Sequence, residues 1–160
     1  MASSPIAIRF FPGCRGHISA GELRRIASSV LQTEGVVRNA GVEVVLADAA
    51  TVQDLNRLYR GQNEPTDVLS FAANEGEPFI EAPEAPPMLG EVVVCLPIAI
   101  SAAATSGHAL EGEVAHLVVH GLLHILGWDH EEEGDGEAMK LREDEILGGL
   151  GYAGGYAHGH

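Results

Sequence analysis

The sequence predicts a single α+β domain, α/β-like in its alternation, with one mixed, about four-stranded sheet packed with helices. Three observations carry this. Stretches of strand and helix character interleave along the chain. A length of 160 residues fits one domain at roughly 100–200 residues each. An apolar content of 46% supplies a core and argues against disorder.

The elements follow in order. IAIRF (6–10) alternates as a half-buried strand does. Ser19 with Glu22 forms a capping box, after which Leu23, Ile26, Ala27, Val30 and Leu31 recur at helical spacing until Gly35 stops the run. VEVVLA (42–47) is a second strand. Thr51 with Asp54 predicts an N-cap, and Val52, Leu55 and Leu58 mark the buried side of a short helix. A polar loop over 61–65 leads into VLSFA (68–72), a third strand. Residues 73–89, rich in Pro, Gly and Glu, predict a long mobile loop. EVVVC (91–95) is apolar enough to be a central strand. Pro97 suits the first turn of a helix reaching about Thr105, and two further helices are expected over about Leu110 to Leu126 and Gly136 to Leu147. The domain is assigned to 1–153. Residues 154–160, which offer little to bury, form a flexible C-terminal tail whose His158 and His160 are not counted as a site.

Composition excludes several classes. The net charge is −14, and it is lopsided: residues 1–70 balance their arginines against their acids, whereas the remainder holds only Lys140 and Arg142 as cations and carries the whole excess. A protein that grips nucleic acid by charge alone has the opposite sign, so DNA binding is not expected. Most of the acids read as a solvated face. The longest apolar run, 92–104, is interrupted by Pro97 and Ser101 and falls short of the roughly 20 residues a membrane helix needs. The N-terminus shows no secretory h-region. The two cysteines, Cys14 and Cys95, form neither a CxxC pair nor a disulfide framework, which fits a reducing, cytoplasmic setting.

The chemistry concentrates in His120-Gly-Leu-Leu-His124-Ile-Leu-Gly127-Trp-Asp-His130. On a helix His120 and His124 lie one turn apart on one face and can grip one ion. His130 would point away if the helix ran on. Glycine at 127 allows a positive φ, so the helix can stop and the chain can return His130 to the same ion. Three protein ligands with one open position is the catalytic arrangement of zinc, and the predicted ligands are His120, His124 and His130. The spacing equals that of the metzincin peptidases, so the helix is zincin-like. Those enzymes place their general base, Glu, directly after the first His, where this chain has Gly121. A zinc peptidase is therefore the alternative that ligand spacing suggests and Gly121 opposes. His116, one turn before His120, reads as a packed or solvated residue, with ligand or supporting donor as the other choice. Arg60 ends the second predicted helix. Its planar guanidinium suits phosphate oxygens, against the plainer reading of a surface arginine at a helix C-terminus. Thr66 and Asp67 read as pinning the turn before the third strand, with support of a metal-bound His as the other choice for Asp67.

HGLLHILGWDH, preceded by LNRLYRGQNEPTDVLSF and LGEVVVC and followed by ILGGLGY, closely resembles the YbeY family of bacterial endoribonucleases over about residues 42–153. Two positions depart: the family often has Tyr where Trp128 stands and Asp where Glu91 stands. The resemblance implies a single α/β domain binding one zinc ion per chain through His120, His124 and His130. It also implies single-strand-specific, metal-dependent endoribonuclease activity in rRNA maturation, notably at the 3′ end of small-subunit rRNA, and in ribosome quality control. The family's functional arginine falls on Arg60. The implied partners are single-stranded RNA, including rRNA, and the ribosome or its proteins. Zinc held by neutral imidazoles would acidify bound water toward about pKa 7, so Gly121 is no obstacle. Whether water or the ribose 2′-OH attacks stays open. A non-enzymatic, ribosome-associated factor with structural zinc is the remaining alternative.

Overall fold

A computed structural model describes residues 5–36, 40–73, 88–128 and 135–152. Among them run β1 (Ile6–Phe10), α1 (Ala20–Thr33), β2 (Gly41–Ala47), α2 (Ala49–Arg60), β3 (Val68–Ala72), β4 (Met88–Cys95), α3 (Leu96–Ser106), α4 (Leu110–Ile125) and α5 (Asp135–Leu150). The four strands form one sheet in the order β1-β2-β4-β3. β1, β2 and β4 are parallel, and β3 pairs antiparallel with β4 along one edge. This is the mixed four-stranded α+β domain expected, with EVVVC central.

The alternation of the strands sorts the core onto two faces. Val42, Val44 and Leu46 of β2 and Val92 and Val94 of β4 meet α1, α4 and α5 in the larger cluster. Val45, Val93, Cys95 and Leu69 point the other way, toward Val52 of α2. α4 is buried over most of its length, because it lies against β3 and β4 while α1, α3 and α5 flank it. No helix among the described residues is long and apolar enough to cross a membrane.

Local chemistry explains where the elements begin and end, and it corrects three expectations. Ser19 Oγ accepts from the Glu22 amide at 3.0 Å, as the capping box requires. α2, however, starts at Ala49, because Asp48 rather than Thr51 is its N-cap and accepts from the Thr51 amide at 2.8 Å. Leu58 is 64% exposed; Val52 and Leu55 do face the core, and the third inner position is Asn56, whose Nδ2 donates to Glu64 O at 2.9 Å and ties the following loop to the helix. β4 begins at Met88, so Met88 and Leu89 belong to the sheet rather than to the loop predicted over 73–89; the stretch of that prediction over 74–87 lies outside the described residues. So does the tail assigned to 154–160.

Candidate active site

α4 and α5 build the site. The histidines at 116, 120 and 124 are spaced by single turns on α4. Nε2 of His120 and Nε2 of His124 stand 3.0 Å apart. Two nitrogens sharing a tetrahedral zinc at 2.0–2.1 Å would be separated by about 3.3 Å, so this pair is close to the separation that one ion demands. The donors are imidazole nitrogens, which suit zinc. The far side of the His120 ring suits an ion as well. Its Nδ1 lies 2.5 Å from Glu143 Oε2 on α5, the carboxylate–histidine contact that accompanies metal-bound imidazoles. The residues present thus fit a metal ion.

Gly127 does what its position predicts. Its φ is 104°, α4 ends at Ile125, and the Trp128 amide returns to Leu123 O at 2.9 Å. Trp128 is then pinned on two sides: Nε1 donates to Glu34 Oε1 at 2.7 Å, and Arg142, itself paired with Glu34 at 3.0 Å, lies over the indole at 5.7 Å. The expected third ligand, His130, lies outside the described residues. Among the described residues no group of three or more His, Cys, Asp or Glu is gathered to hold a metal, so two of the three predicted ligands are brought together here.

Gly121 faces the sheet. A Cβ there would sit 2.8 Å from Val92 Cγ1 and 2.9 Å from Ser70 Oγ, inside real contact distance. The absence of a peptidase-type base at this position therefore has a steric cause: α4 approaches β3 and β4 too closely for any side chain. Gly121→Ala should lose about 1–2 kcal/mol of stability, overpacking of about 1–3 being offset in part by up to about 1 of helix propensity. Urea unfolding checks this; an unchanged midpoint would mean that α4 lifts off the sheet freely.

Arg60 closes α2, with Gly61 left-handed at φ 72°. Its Nη2 donates to Ser70 O at 2.7 Å, and its guanidinium lies 4.9 Å from the centre of the Phe71 ring, which Tyr59 meets edge-on at 5.4 Å. Ser70 links the two halves of the site: its carbonyl takes Arg60, while its hydroxyl lies against Gly121, next to His120. The backbone carbonyl of Asp67 accepts from the Cys95 amide at 2.8 Å, which extends the pairing of β3 with β4 by one residue.

Residue order alone does not single out Glu143, which it leaves among the solvated acids. The side chain is only 8% exposed, and its other oxygen lies 3.1 Å from His116 Nε2. Burial would raise its carboxyl, but the facing His116 and His120 outweigh that and hold it at about 2. Glu113, buried on the first turn of α4, escapes notice likewise; burial pushes its carboxyl up against the pull of His116 and His108.

Comparison with known proteins settles the kinship. The family described as Endoribonuclease YbeY matches residues 16–151. The chain belongs to the YbeY endoribonuclease family. It is 47% identical over 130 residues to the Endoribonuclease YbeY of Pelotomaculum thermopropionicum, covering 81% of this chain and 85% of that one. It is 45% identical over 132 residues to that of Symbiobacterium thermophilum, with the same shares. The solution structure of TM1509 from Thermotoga maritima superposes with a TM-score of 0.55 at 27% identity, covering 90% of each chain. The YbeY match contains Arg60, the three motif histidines and Glu143, and leaves β1 outside.

Glu91 faces Glu43 across β2 and β4. Arg9 stands 3.7 Å from Glu43 and 3.8 Å from Glu91. Burial first, then the hydrogen bond and charge of Glu43, push Glu91 up to about 7, with Arg9 opposing. A raised carboxyl favours the folded state while protonated. Its contribution is complete below the unfolded value near 4.3 and is lost as pH rises through about 7. Glu91→Gln should thus stabilise the protein by about 1–2 kcal/mol at pH 8, the full shift being discounted because the side chain is 32% exposed, and by much less at pH 5. Equal effects at both pH values in thermal unfolding would refute the raised Glu91 carboxyl.

Proposed function

We propose that this chain is a zinc-dependent endoribonuclease that cuts single-stranded RNA, with His120, His124 and His130 holding the ion and Arg60 engaging the scissile phosphate. Membership of the YbeY family makes it an endoribonuclease, a hydrolase of RNA. The observation that carries the finer reading is the 3.0 Å approach of the two Nε2 atoms, with a carboxylate behind one ring. The proposed substrate is rRNA, in maturation of the small-subunit 3′ end and in ribosome quality control in the cytoplasm. With a net charge of −14, the protein repels a free polyanion overall, so in this reading the strand is presented by the ribosome or a ribosomal protein. Single strands suit a recessed ion because their backbone can bend into a cleft.

A bound zinc ion supplies Lewis-acid polarisation of a phosphoryl oxygen and acidifies water. The chain's own residues do the rest. His120 and His124 offer lone pairs from one face of α4. Gly121 keeps that helix tight on the sheet. Arg60, braced on the Ser70 carbonyl, presents a planar cation that neutralises charge gathering on the phosphate. Peptide hydrolysis is opposed by Gly121, which faces the sheet.

The test is metal content and cleavage measured on one preparation, wild type beside His120→Ala, against labelled single-stranded RNA, duplex RNA and casein. The expected result is about one ion per wild-type chain, cleavage of the single strand alone, and neither metal nor cleavage in the variant. Equal RNA cleavage by the variant would mean a contaminating nuclease. Cleavage of casein instead of RNA would restore the peptidase. Full metal with no turnover, together with a large fall in melting temperature on chelation, would make the ion a structural staple.

A further inference from the structure

We infer that Glu143 is a positioning residue that selects the metal-binding tautomer of His120 and is itself held by His116. The inference rests on the metal-site reading above and goes beyond it in assigning roles to two residues outside the ligand motif. Neutral imidazole has one N–H and one lone pair. Glu143 Oε2 lies 2.5 Å from His120 Nδ1, so the carboxylate accepts the Nδ1 proton and the lone pair is left on Nε2. That is the atom standing beside Nε2 of His124.

His116 completes the arrangement. Its Nε2 lies 3.1 Å from Glu143 Oε1, so it donates to the carboxylate through the nitrogen that the other two histidines turn toward each other. This decides between the readings open for His116: it is a buried supporting donor. Here the two oxygens take two separate rings one helical turn apart, and the side chain is withdrawn from solvent. A buried carboxylate is costly unless its oxygens are satisfied, and these donors satisfy one oxygen each. Because α5 carries Glu143, docking of α5 and orientation of the metal-binding ring are one event.

The role is tested by cobalt(II) and zinc competition titrations of wild type, Glu143→Gln and Glu143→Ala, each followed by metal-free thermal unfolding. Ion affinity should fall about 10–100-fold in the alanine variant, with the glutamine variant between it and wild type, because its amide oxygen still accepts one ring N–H. A purely structural role would lower the metal-free melting temperature and leave the affinity of the folded protein unchanged. That result overturns the proposal. Should neither variant fold, nitrogen-15 NMR of wild-type His120 decides: a proton on Nδ1 upholds the assignment, and an aprotic Nδ1 refutes it. Failure of the wild type to take up any ion overturns the metal reading itself; uptake by wild type with undiminished affinity in both variants overturns only the role of Glu143.

Discussion

His124→Ala is expected to remove bound metal and RNA cleavage together, with turnover falling by about 10²-fold or more. The size follows from the geometry. His124 supplies one of the two imidazole nitrogens that approach to 3.0 Å, and losing a direct ligand should exceed the 10–100-fold typical of losing a residue that merely orients one. The fold should survive, since His124 is only partly buried near the end of α4 and substitutions of this kind usually move stability by less than about 1 kcal/mol. Elemental analysis, gel cleavage of single-stranded RNA and thermal unfolding on one sample check all three points. Stoichiometric metal in the variant would remove His124 from the ligand set.

Arg60→Ala should show the opposite separation: metal retained and turnover lost by about 10²–10³-fold, the usual consequence of deleting one group that stabilises transition-state charge. Arg60 is exposed, and its contacts with Ser70 O and the Phe71 ring contribute modestly to stability, about 0.5–1 kcal/mol for such a cation–π pair. Loss of fold therefore cannot mimic the effect. Arg60→Lys should recover only part of the activity, because an ammonium keeps the charge but not the planar fork that matches phosphate. Metal content with single-turnover cleavage decides, and unchanged turnover would leave Arg60 as a brace of the β3 edge.

The pairing of His120 with His124 and the glycine stop after them are readable from residue order because their logic is local. His120 and His124 face one way on any helix, and the stop at Gly127 needs only a positive φ, which the structure has. Strands declare themselves by alternation, and EVVVC by its lack of polar positions. The N-cap of α2 lies three residues before the expected one because Asp48 and Thr51 are both good caps in isolation. The choice falls on Asp48, which starts the helix directly after β2. Leu58 has the spacing of a core residue relative to Leu55, but α2 covers the sheet with Val52, Leu55 and Asn56 and leaves Leu58 in water.

Residue types and short-range spacing are enough to announce a mixed sheet, a helix bearing paired histidines, a glycine stop after it and an arginine at the end of the second helix, since each depends on contacts within a few residues. Other features depend on segments far apart in the chain. Glu143 looks like any acid of an acidic C-terminal half until α5 lies along α4 and sets it between His116 and His120. Gly121 looks like a lost catalytic base until β3 and β4 are seen to occupy its Cβ position. Glu43 and Glu91 become neighbours only when β4 pairs in parallel with β2. Helical period and capping are encoded in adjacent side chains; which buried acid meets which ring is decided when the helices close over the sheet.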